Sequence, residues 1–124
     1  MKDKMQLTES EEIVMKSIWD IGDDMCLSQI MEYTKEYGKD WKSQTVSTFL
    51  SKLVLKGFID PYRKGRYFHY KVLISEKEYK NSKLTRYLAF WNKNDVAAFA
   101  EDLYSVLSKE QKAVLEQKVK ELHD

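Results

Sequence analysis

The chain has 124 residues and a formal net charge of +1; 43% are hydrophobic and 33% charged, which is typical of a globular domain and excludes a disordered chain. It contains no run of about 18 apolar residues, and residues 1–6 lack the apolar core of a signal peptide, so neither a membrane span nor a leader is expected. A single cysteine, Cys26, excludes an internal disulfide framework and indicates a reducing compartment, so we expect a cytoplasmic protein.

The first predicted element is a helix that opens with a capping box. Thr8 and Glu11 stand three residues apart, so the Thr8 hydroxyl and the Glu11 carboxylate can each bond the other's backbone N–H. We expect this helix to end near Ile21, before the turn at residues 22–24. Residues 25–27 form a short apolar piece that we interpret as a strand stub.

A second and a third helix follow, separated by a brief connection. Ser28 is predicted to cap the second helix, and Gly38 is predicted to stop it. The third helix is predicted from Ser43 to Gly57. Two helices joined by so short a link predict a helix-turn-helix.

The third helix has two unlike faces. Its apolar residues recur at helical spacing: Val46, Phe49, Leu50, Leu53 and Val54. Its opposite face carries short hydrogen-bonding side chains and a cation: Gln44, Thr45, Ser47, Thr48, Ser51 and Lys52. Short polar groups let a helix backbone approach another surface closely, and the DNA major groove is wide enough to admit such a helix.

Positive charge is concentrated around this helix. Residues 42–74 hold five lysines and two arginines against one acid, Asp60, whereas residues 1–41 carry a net charge of −5 and residues 75–124 carry none. The overall charge of +1 hides this local block of +6. Such a block is typical of a nucleic-acid interface; the alternative is an ordinary basic patch on a soluble domain.

A β-hairpin is predicted after the third helix. Aromatic and β-branched residues on both sides of Lys64-Gly65-Arg66 favour two strands joined by a turn. Pro61 cannot donate to a ladder, so we expect the first strand to be short or to face outward there. Three helices and a hairpin predict a winged-helix DNA-binding domain over residues 1–74. The predicted fold class is mainly α, an α+β winged helix-turn-helix with a C-terminal helical dimerisation region.

Residues 75–124 are predicted to be that dimerisation region. Ser75 opens a helix with a second capping box, residues 92–95 break it, and Ser108 is placed to cap the last helix. These amphipathic helices have little winged-domain surface on which to bury their apolar sides, so we expect a homodimer; the alternative is that they fold back on their own domain. The predicted dimerisation residues are Leu84, Tyr87, Leu88, Trp91, Phe99, Leu103, Leu107, Leu115, Val119 and Leu122. An overlapping aromatic group is assigned mostly to the dimer core, the alternative being a small-molecule effector pocket: Tyr79, Tyr87, Phe90, Trp91, Phe99 and Tyr104.

The sequence predicts double-stranded DNA as the partner of the third helix and the hairpin. The side chains predicted to read base edges are Gln44, Thr45, Ser47 and Thr48. The residues predicted to contact the DNA backbone are Lys42, Ser43, Lys52, Lys56, Arg63, Lys64 and Arg66. If about six phosphate contacts form per protomer, the logarithm of affinity should fall against the logarithm of salt with a slope of about −5.

The residues also bear on two other classes of function. A winged helix can serve as a protein-docking module without DNA contact, and Leu55 and Phe58 are candidate apolar anchors for that role. An enzyme is not predicted, because the sequence has no acid pair in an apolar setting, no phosphate-binding glycine loop and no histidine–cysteine cluster. For the same reason no metal or cofactor is predicted. Cys26 is expected to be a small core residue; the alternative is a redox switch.

Three separate segments, in the same order and spacing, resemble the penicillinase-repressor family, the BlaI/MecI/CopY group of bacterial winged-helix repressors. They are Leu7–Glu11 with Val14-Met15 and Ile18-Trp19, then Trp41–Gly57, and then Lys64–Tyr70 with Ile74–Tyr79. The resemblance covers about residues 7–80 and implies a dimer that blocks transcription from a palindromic operator. Lys52 stands where arginine is common, and no cysteine follows Cys26, unlike members with a metal-binding Cys-x-Cys tail.

Overall fold

The structure is a computed structural model that describes residues 5–22 and 24–124. Asp23, part of the turn expected after the first helix, lies outside the described residues. Six α-helices, a short 3₁₀ turn and two strands follow one another in the described chain: α1 (Glu9–Ile21), α2 (Leu27–Thr34), the 3₁₀ turn (Lys35–Tyr37), α3 (Ser43–Leu55), β1 (Ile59–Lys64), β2 (Tyr67–Val72), α4 (Glu76–Asn92), α5 (Val96–Val106) and α6 (Lys109–His123).

The described chain forms two compact units, one ending at Lys83 and the other spanning Leu84–Asp124. The first contains α1, α2, α3 and the β1–β2 hairpin, in the order of a winged helix-turn-helix. The fold is therefore mainly α with a small two-stranded antiparallel sheet, as predicted. Within the described residues, no helix is both long enough and apolar enough for a membrane crossing.

The core of the first unit is built where three helices and the start of the hairpin meet. Its fully or nearly buried residues are Val14, Met15, Ile18, Met25, Ile30, Val46, Leu50, Leu53, Phe58, Ile59 and Tyr79. Those on α1 and α3 recur every three or four residues, so each helix contributes one stripe and leaves its opposite face free. Partly buried Phe49 packs its ring on Trp41, with the centroids 4.9 Å apart.

The start of α2 differs from the prediction. Residues 25–27 form no strand, because Leu27 already begins α2 and Cys26, not Ser28, is its N-cap. The Cys26 backbone is committed to the helix start: its N–H donates to the Gln29 side chain at 2.9 Å and its carbonyl accepts from the Ile30 N–H at 3.2 Å. Cys26 is half-buried, so it is not the core residue expected, while neighbouring Met25 is buried.

The β1–β2 hairpin has the predicted position and a simple register. Ile59 pairs with Val72 at its base and Lys64 with Tyr67 at its tip, so Gly65 and Arg66 form a two-residue turn. Gly65 has a φ of 70°, a left-handed conformation that glycine adopts without steric cost. Exposed Pro61 is tolerated because the sheet has no further strand in the described chain.

The first turns of α4 belong to the winged-helix unit. Tyr79, assigned from sequence to the dimer core, is only 4% exposed and lies against Phe58 and Trp19, with ring centroids 5.7 and 5.6 Å away. Two ion pairs and a hydrogen bond strengthen the attachment: Lys16–Glu76 at 2.7 Å, Lys83–Glu12 at 2.6 Å, and the Trp19 ring N–H to the Ile74 carbonyl at 3.0 Å. The unit therefore ends at Lys83, nine residues beyond the boundary expected at residue 74.

The helix boundaries in the second unit follow the predicted signals. Lys93 and Asn94 adopt positive φ values of 51° and 64°, which ends α4. Asp95 caps α5 by accepting the Ala98 N–H at 3.1 Å. The Ser108 hydroxyl accepts the Gln111 N–H at 3.1 Å, which is half of a capping box at the start of α6.

Two leucines on α3 provide a matched test of this architecture. Leu53 is fully buried, whereas Leu55 is 83% exposed. Leu53→Ala should lower the free energy of unfolding by about 2–5 kcal/mol, because it removes core contacts and leaves a cavity. Leu55→Ala should change it by less than about 0.5 kcal/mol. Urea denaturation at one fixed protein concentration measures both; equal losses would show that α3 faces the core differently.

Candidate nucleic-acid interface

The polar face of α3 is open to solvent. Gln44, Thr45, Ser47 and Thr48, the side chains predicted to read bases, are all exposed, while Val46 between them is fully buried. The Thr48 hydroxyl donates to the Gln44 carbonyl at 3.0 Å, and its oxygen remains able to accept a further bond. The four side chains lie in the first two turns of one helix and so form a continuous surface of short donors and acceptors.

The start of α3 is held by packing. Lys42 is the N-cap, with extended backbone, and Ser43 is the first helical residue; both side chains are exposed. Just before them, Trp41 packs on Phe49 and lies beneath the Lys39 ammonium, 5.9 Å from the ring centroid. The helix thereby presents its unbonded backbone N–H groups, which favour an anion, at a fixed place.

The two lysines near the end of α3 have different environments. Lys52 is exposed and makes no ion pair with any described residue. Lys56 was predicted to contact the DNA backbone, but its Nζ lies 2.7 Å from Glu11 Oε1 and 3.1 Å from the Gln6 carbonyl. The positive charge of Lys56 is therefore paired with the Glu11 carboxylate within the protein.

The environment of Glu11 explains why Lys56 is paired with it. The Glu11 side chain is 3% exposed, and its carboxylate also accepts the Thr8 N–H at 2.8 Å. Burial alone would raise the pKa of Glu11, but the bonds from Lys56 and Thr8 outweigh it and hold this pKa below its ordinary value of 4.5. Glu11 is thus charged at neutral pH, and the cation of Lys56 ties α1 to the end of α3. Sequence inspection missed the pair because 45 residues separate its members.

The hairpin presents the remaining predicted cations. The Arg63 guanidinium stacks over the Phe68 ring, 5.1 Å from its centroid. Lys64 Nζ lies 3.4 Å from the Asp24 carboxylate, and His69 Nδ1 contacts the Asp24 carbonyl. Arg66, in the turn, is exposed. The segment before α2 therefore supports the hairpin, a role that the sequence did not reveal for Asp24.

The second unit contains all ten residues predicted for dimerisation. Those exposed are Leu84, Tyr87, Trp91, Leu103, Val119 and Leu122, and those partly buried are Leu88, Phe99, Leu107 and Leu115. Tyr87 bridges the two groups, since its ring lies 5.8 Å from that of Phe99 and 6.2 Å from that of Trp91. Further exposed apolar side chains adjoin them in sequence: Phe90, Val96, Val106 and Val114.

In the described part of the chain, no three His, Cys, Asp or Glu side chains are grouped so as to hold a metal ion. The chemistry available at the α3 face and the hairpin is hydrogen bonding and positive charge.

A family profile described as "Penicillinase repressor" matches residues 7–121. The chain belongs to the penicillinase repressor family. The match extends into α6, well beyond the segments on which the sequence resemblance rests. The helices of the second unit are thus part of the family's pattern.

Two individual relatives are similar to this chain. The penicillinase repressor of Bacillus licheniformis is 32% identical over 93 residues, which cover 74% of this chain and 71% of that protein. An uncharacterized 16.5 kDa protein of Latilactobacillus sakei is 32% identical over 73 residues, 59% of this chain and 49% of that one. The chain thus spans about half the length of the second relative.

A solved relative agrees with the fold of the first unit. It is the solution structure of the DNA binding domain of the repressor BlaI, 28% identical, with a TM-score of 0.52. The similarity covers 63% of this chain and 93% of that domain.

Lys52, on α3, and Lys56, its C-cap, allow a surface role and a structural role of a lysine to be separated. Lys56→Met should lower the free energy of unfolding at pH 7 by about 2 kcal/mol, because it leaves a buried carboxylate without its cation. Lys52→Met should change stability by less than about 0.5 kcal/mol. Chemical denaturation of both variants against the unaltered chain is the measurement.

The same pair predicts a pH dependence. The pKa of Glu11 is lowered on folding, so its contribution to stability is present above the ordinary value of 4.5 and is lost as the pH falls through the lowered folded-state pKa. The deficit of Lys56→Met should therefore shrink in acid. A Lys56→Met variant of unchanged stability at pH 7 would contradict the structural role.

Proposed function

We propose that this chain is a transcriptional repressor that binds a palindromic DNA operator as a homodimer, with α3 in the major groove of each half-site. The observation that carries the proposal is the free polar face of α3. All four predicted base-reading side chains are exposed on a helix whose other face is anchored by Val46, Leu50 and Leu53. A rigid helix with short polar groups is the element that the major groove, about 12 Å wide, accommodates.

The types of side chain on this face suit base reading. Gln44 can form two hydrogen bonds to the edge of adenine, and the methyl group of Thr45 or Thr48 can contact that of thymine. These three residues, with Ser47, lie near the start of α3, where recognition helices commonly meet base edges.

The cations around α3 would position the protein on the phosphates without reading sequence. Those left for this purpose are Lys42, Lys52, Arg63, Lys64 and Arg66, with the Ser43 hydroxyl and the adjacent helix start as further donors. Since Lys56 is paired with Glu11, five cations instead of six give an expected salt slope of about −4.5 per protomer.

The relatives support the same function. One is named a penicillinase repressor, and the solved structure is described as the DNA binding domain of a repressor. A repressor of this kind is not an enzyme and acts where the genome lies, so we propose a cytoplasmic protein without catalytic activity.

Homodimerisation is proposed from the surface of the second unit. Trp91 is 67% exposed, and Leu84, Tyr87 and Leu122 are also exposed, so these apolar side chains remain in contact with solvent in the single chain. Aromatic side chains in such a setting commonly supply most of the association energy. A second copy of the chain would bury them and would match the two-fold symmetry of a palindrome.

Gln44→Ala tests base reading. We expect a loss on the order of 1–3 kcal/mol in discrimination at one base position, because a bidentate contact is removed. The operator is first selected from a random duplex library with the full chain, and affinities for selected and scrambled DNA are then compared by gel shift. Lys64→Ala is the matched control, since it should weaken binding to both DNAs alike. Equal losses on both DNAs for Gln44→Ala would remove this residue from base reading.

Trp91→Ala tests the dimer. We expect the dissociation constant of the dimer to rise by about 30-fold or more, the effect of losing an interface residue worth about 2 kcal/mol. Sedimentation equilibrium over a concentration series measures it. Tyr67→Ala, which removes a similarly exposed aromatic side chain from the hairpin, should leave the constant unchanged. An unaltered chain that sediments as a monomer at all concentrations would rule out the homodimer.

A further inference from the structure

A cavity of about 520 Å³ opens between the start of α2, the polar face of α3 and the hairpin. Leu27 and Ser28 contribute from α2, Ser47 from α3, and Arg66 and Phe68 from the hairpin. The cavity volume falls within the range of about 300–1,000 Å³ that is usual for small-molecule sites.

The walls of the cavity favour a flat apolar ligand. Leu27 supplies an aliphatic side, and Tyr67, Phe68 and Tyr70 supply three aromatic rings from β2. Tyr67 and Phe68 remain more than half exposed. The Arg63 guanidinium covers part of the Phe68 ring, and the remaining exposed ring surface is available for stacking. Aromatic rings gain energy from offset or edge contacts with another ring beyond the area they bury.

The charge of the lining favours an anion. Arg66 is the charged side chain among the described residues of the lining, which include no acid. Within the described chain Arg66 makes no ion pair, so its guanidinium fork remains available for a carboxylate. Burial raises the pKa of Tyr70, so its phenol stays protonated at neutral pH and adds no negative charge.

We propose that this cavity binds a small aromatic carboxylate, with its ring between Leu27 and the β2 aromatic side chains and its carboxylate on Arg66. The hydroxyls of Ser28 and Ser47 provide further hydrogen-bonding groups at the polar side. Such a ligand combines the apolar area and the single negative charge that the lining can satisfy.

Because of the position of the cavity, its ligand would compete with DNA for this surface. This effect rests on the proposed DNA binding. Ser47 belongs to the proposed base-reading face and Arg66 to the proposed phosphate contacts. A carboxylate on Arg66 takes the place of a DNA phosphate, so ligand and operator exclude each other. By linkage, the ligand then weakens DNA binding by the factor with which DNA weakens ligand binding.

Binding is tested first without DNA. Cinnamate is titrated into the full chain by isothermal titration calorimetry, with cinnamamide as the uncharged counterpart of the same shape. We expect saturable binding of cinnamate at millimolar concentration and weaker binding of cinnamamide. No saturable cinnamate binding, or equal binding of both compounds, would overturn the proposal.

Three substitutions locate the site. Arg66→Gln should weaken cinnamate binding about tenfold, the loss expected when a charged hydrogen bond is removed. Lys71→Gln removes the same charge from an exposed position on β2 outside the lining and should leave the dissociation constant unchanged. Ser28→Trp, at an exposed position of α2, should fill the cavity and abolish binding while circular dichroism stays unchanged. If Ser28→Trp unfolds the chain, the two surface variants still decide; equal effects of Arg66→Gln and Lys71→Gln would place the ligand elsewhere.

Competition is then measured by fluorescence anisotropy with the selected operator. Cinnamate should raise the apparent dissociation constant for DNA with the unaltered chain and with Lys71→Gln. Cinnamate that binds the free chain but leaves operator affinity unchanged would overturn the regulatory effect. Cinnamate binding in a chain that binds no DNA would instead refute the proposed repressor function and leave the ligand site standing.

Discussion

Burial of one face of α3 is the constraint on which the rest of the structure depends. Val46, Leu50 and Leu53 lie in a single core with the buried stripe of α1 and with Phe58. Because an α-helix repeats every 3.6 residues, fixing this stripe also fixes the direction of the opposite face. The polar side chains of that face are therefore displayed by the core and not by contacts of their own. Without the core they would be a row of small residues with no defined orientation.

The cations around α3 are of two kinds: some are paired with carboxylates within the protein, and others are not paired. Lys56 neutralises the buried Glu11 carboxylate, and Lys64 lies near Asp24, whereas Lys52 and Arg66 make no ion pair within the described residues. A buried carboxylate needs a close cation, so Lys56 cannot move to a phosphate without leaving Glu11 uncompensated. Lys64 is far more exposed, and its contact with Asp24 is weak and easily exchanged. The structure therefore keeps a block of positive charge around α3. Its surface charge is smaller than the number of lysines and arginines in the sequence suggests.

The second unit has a different energetic character. Its helices are well capped, yet many of its large apolar side chains, including Phe90 and Val106, remain exposed. Capping stabilises a helix end by about 1 kcal/mol, but it does not remove apolar area from water. The proposed homodimer would cover this surface. The family profile continues to residue 121, so this region is as much a part of the family as the winged helix.

The sequence by itself determined most of what depends on local pattern: the helices, the caps of α1, α4 and α6, the hairpin and the polar and apolar faces of α3. These follow from periodicity and short-range hydrogen bonding, which involve residues a few positions apart. The sequence misplaced the start of α2, where Cys26 and not Ser28 is the cap. The tertiary structure alone decided the partner of Lys56, the burial of Tyr79 in the first unit and the cavity between α2 and the hairpin. Each of these features brings together side chains that are at least about 20 residues apart in the sequence. Tyr79, for example, contacts Glu12 and Trp19. Contacts between residues so far apart in sequence depend on how the helices pack against one another. That packing is set by how the whole core fills its volume, and no local sequence pattern encodes it.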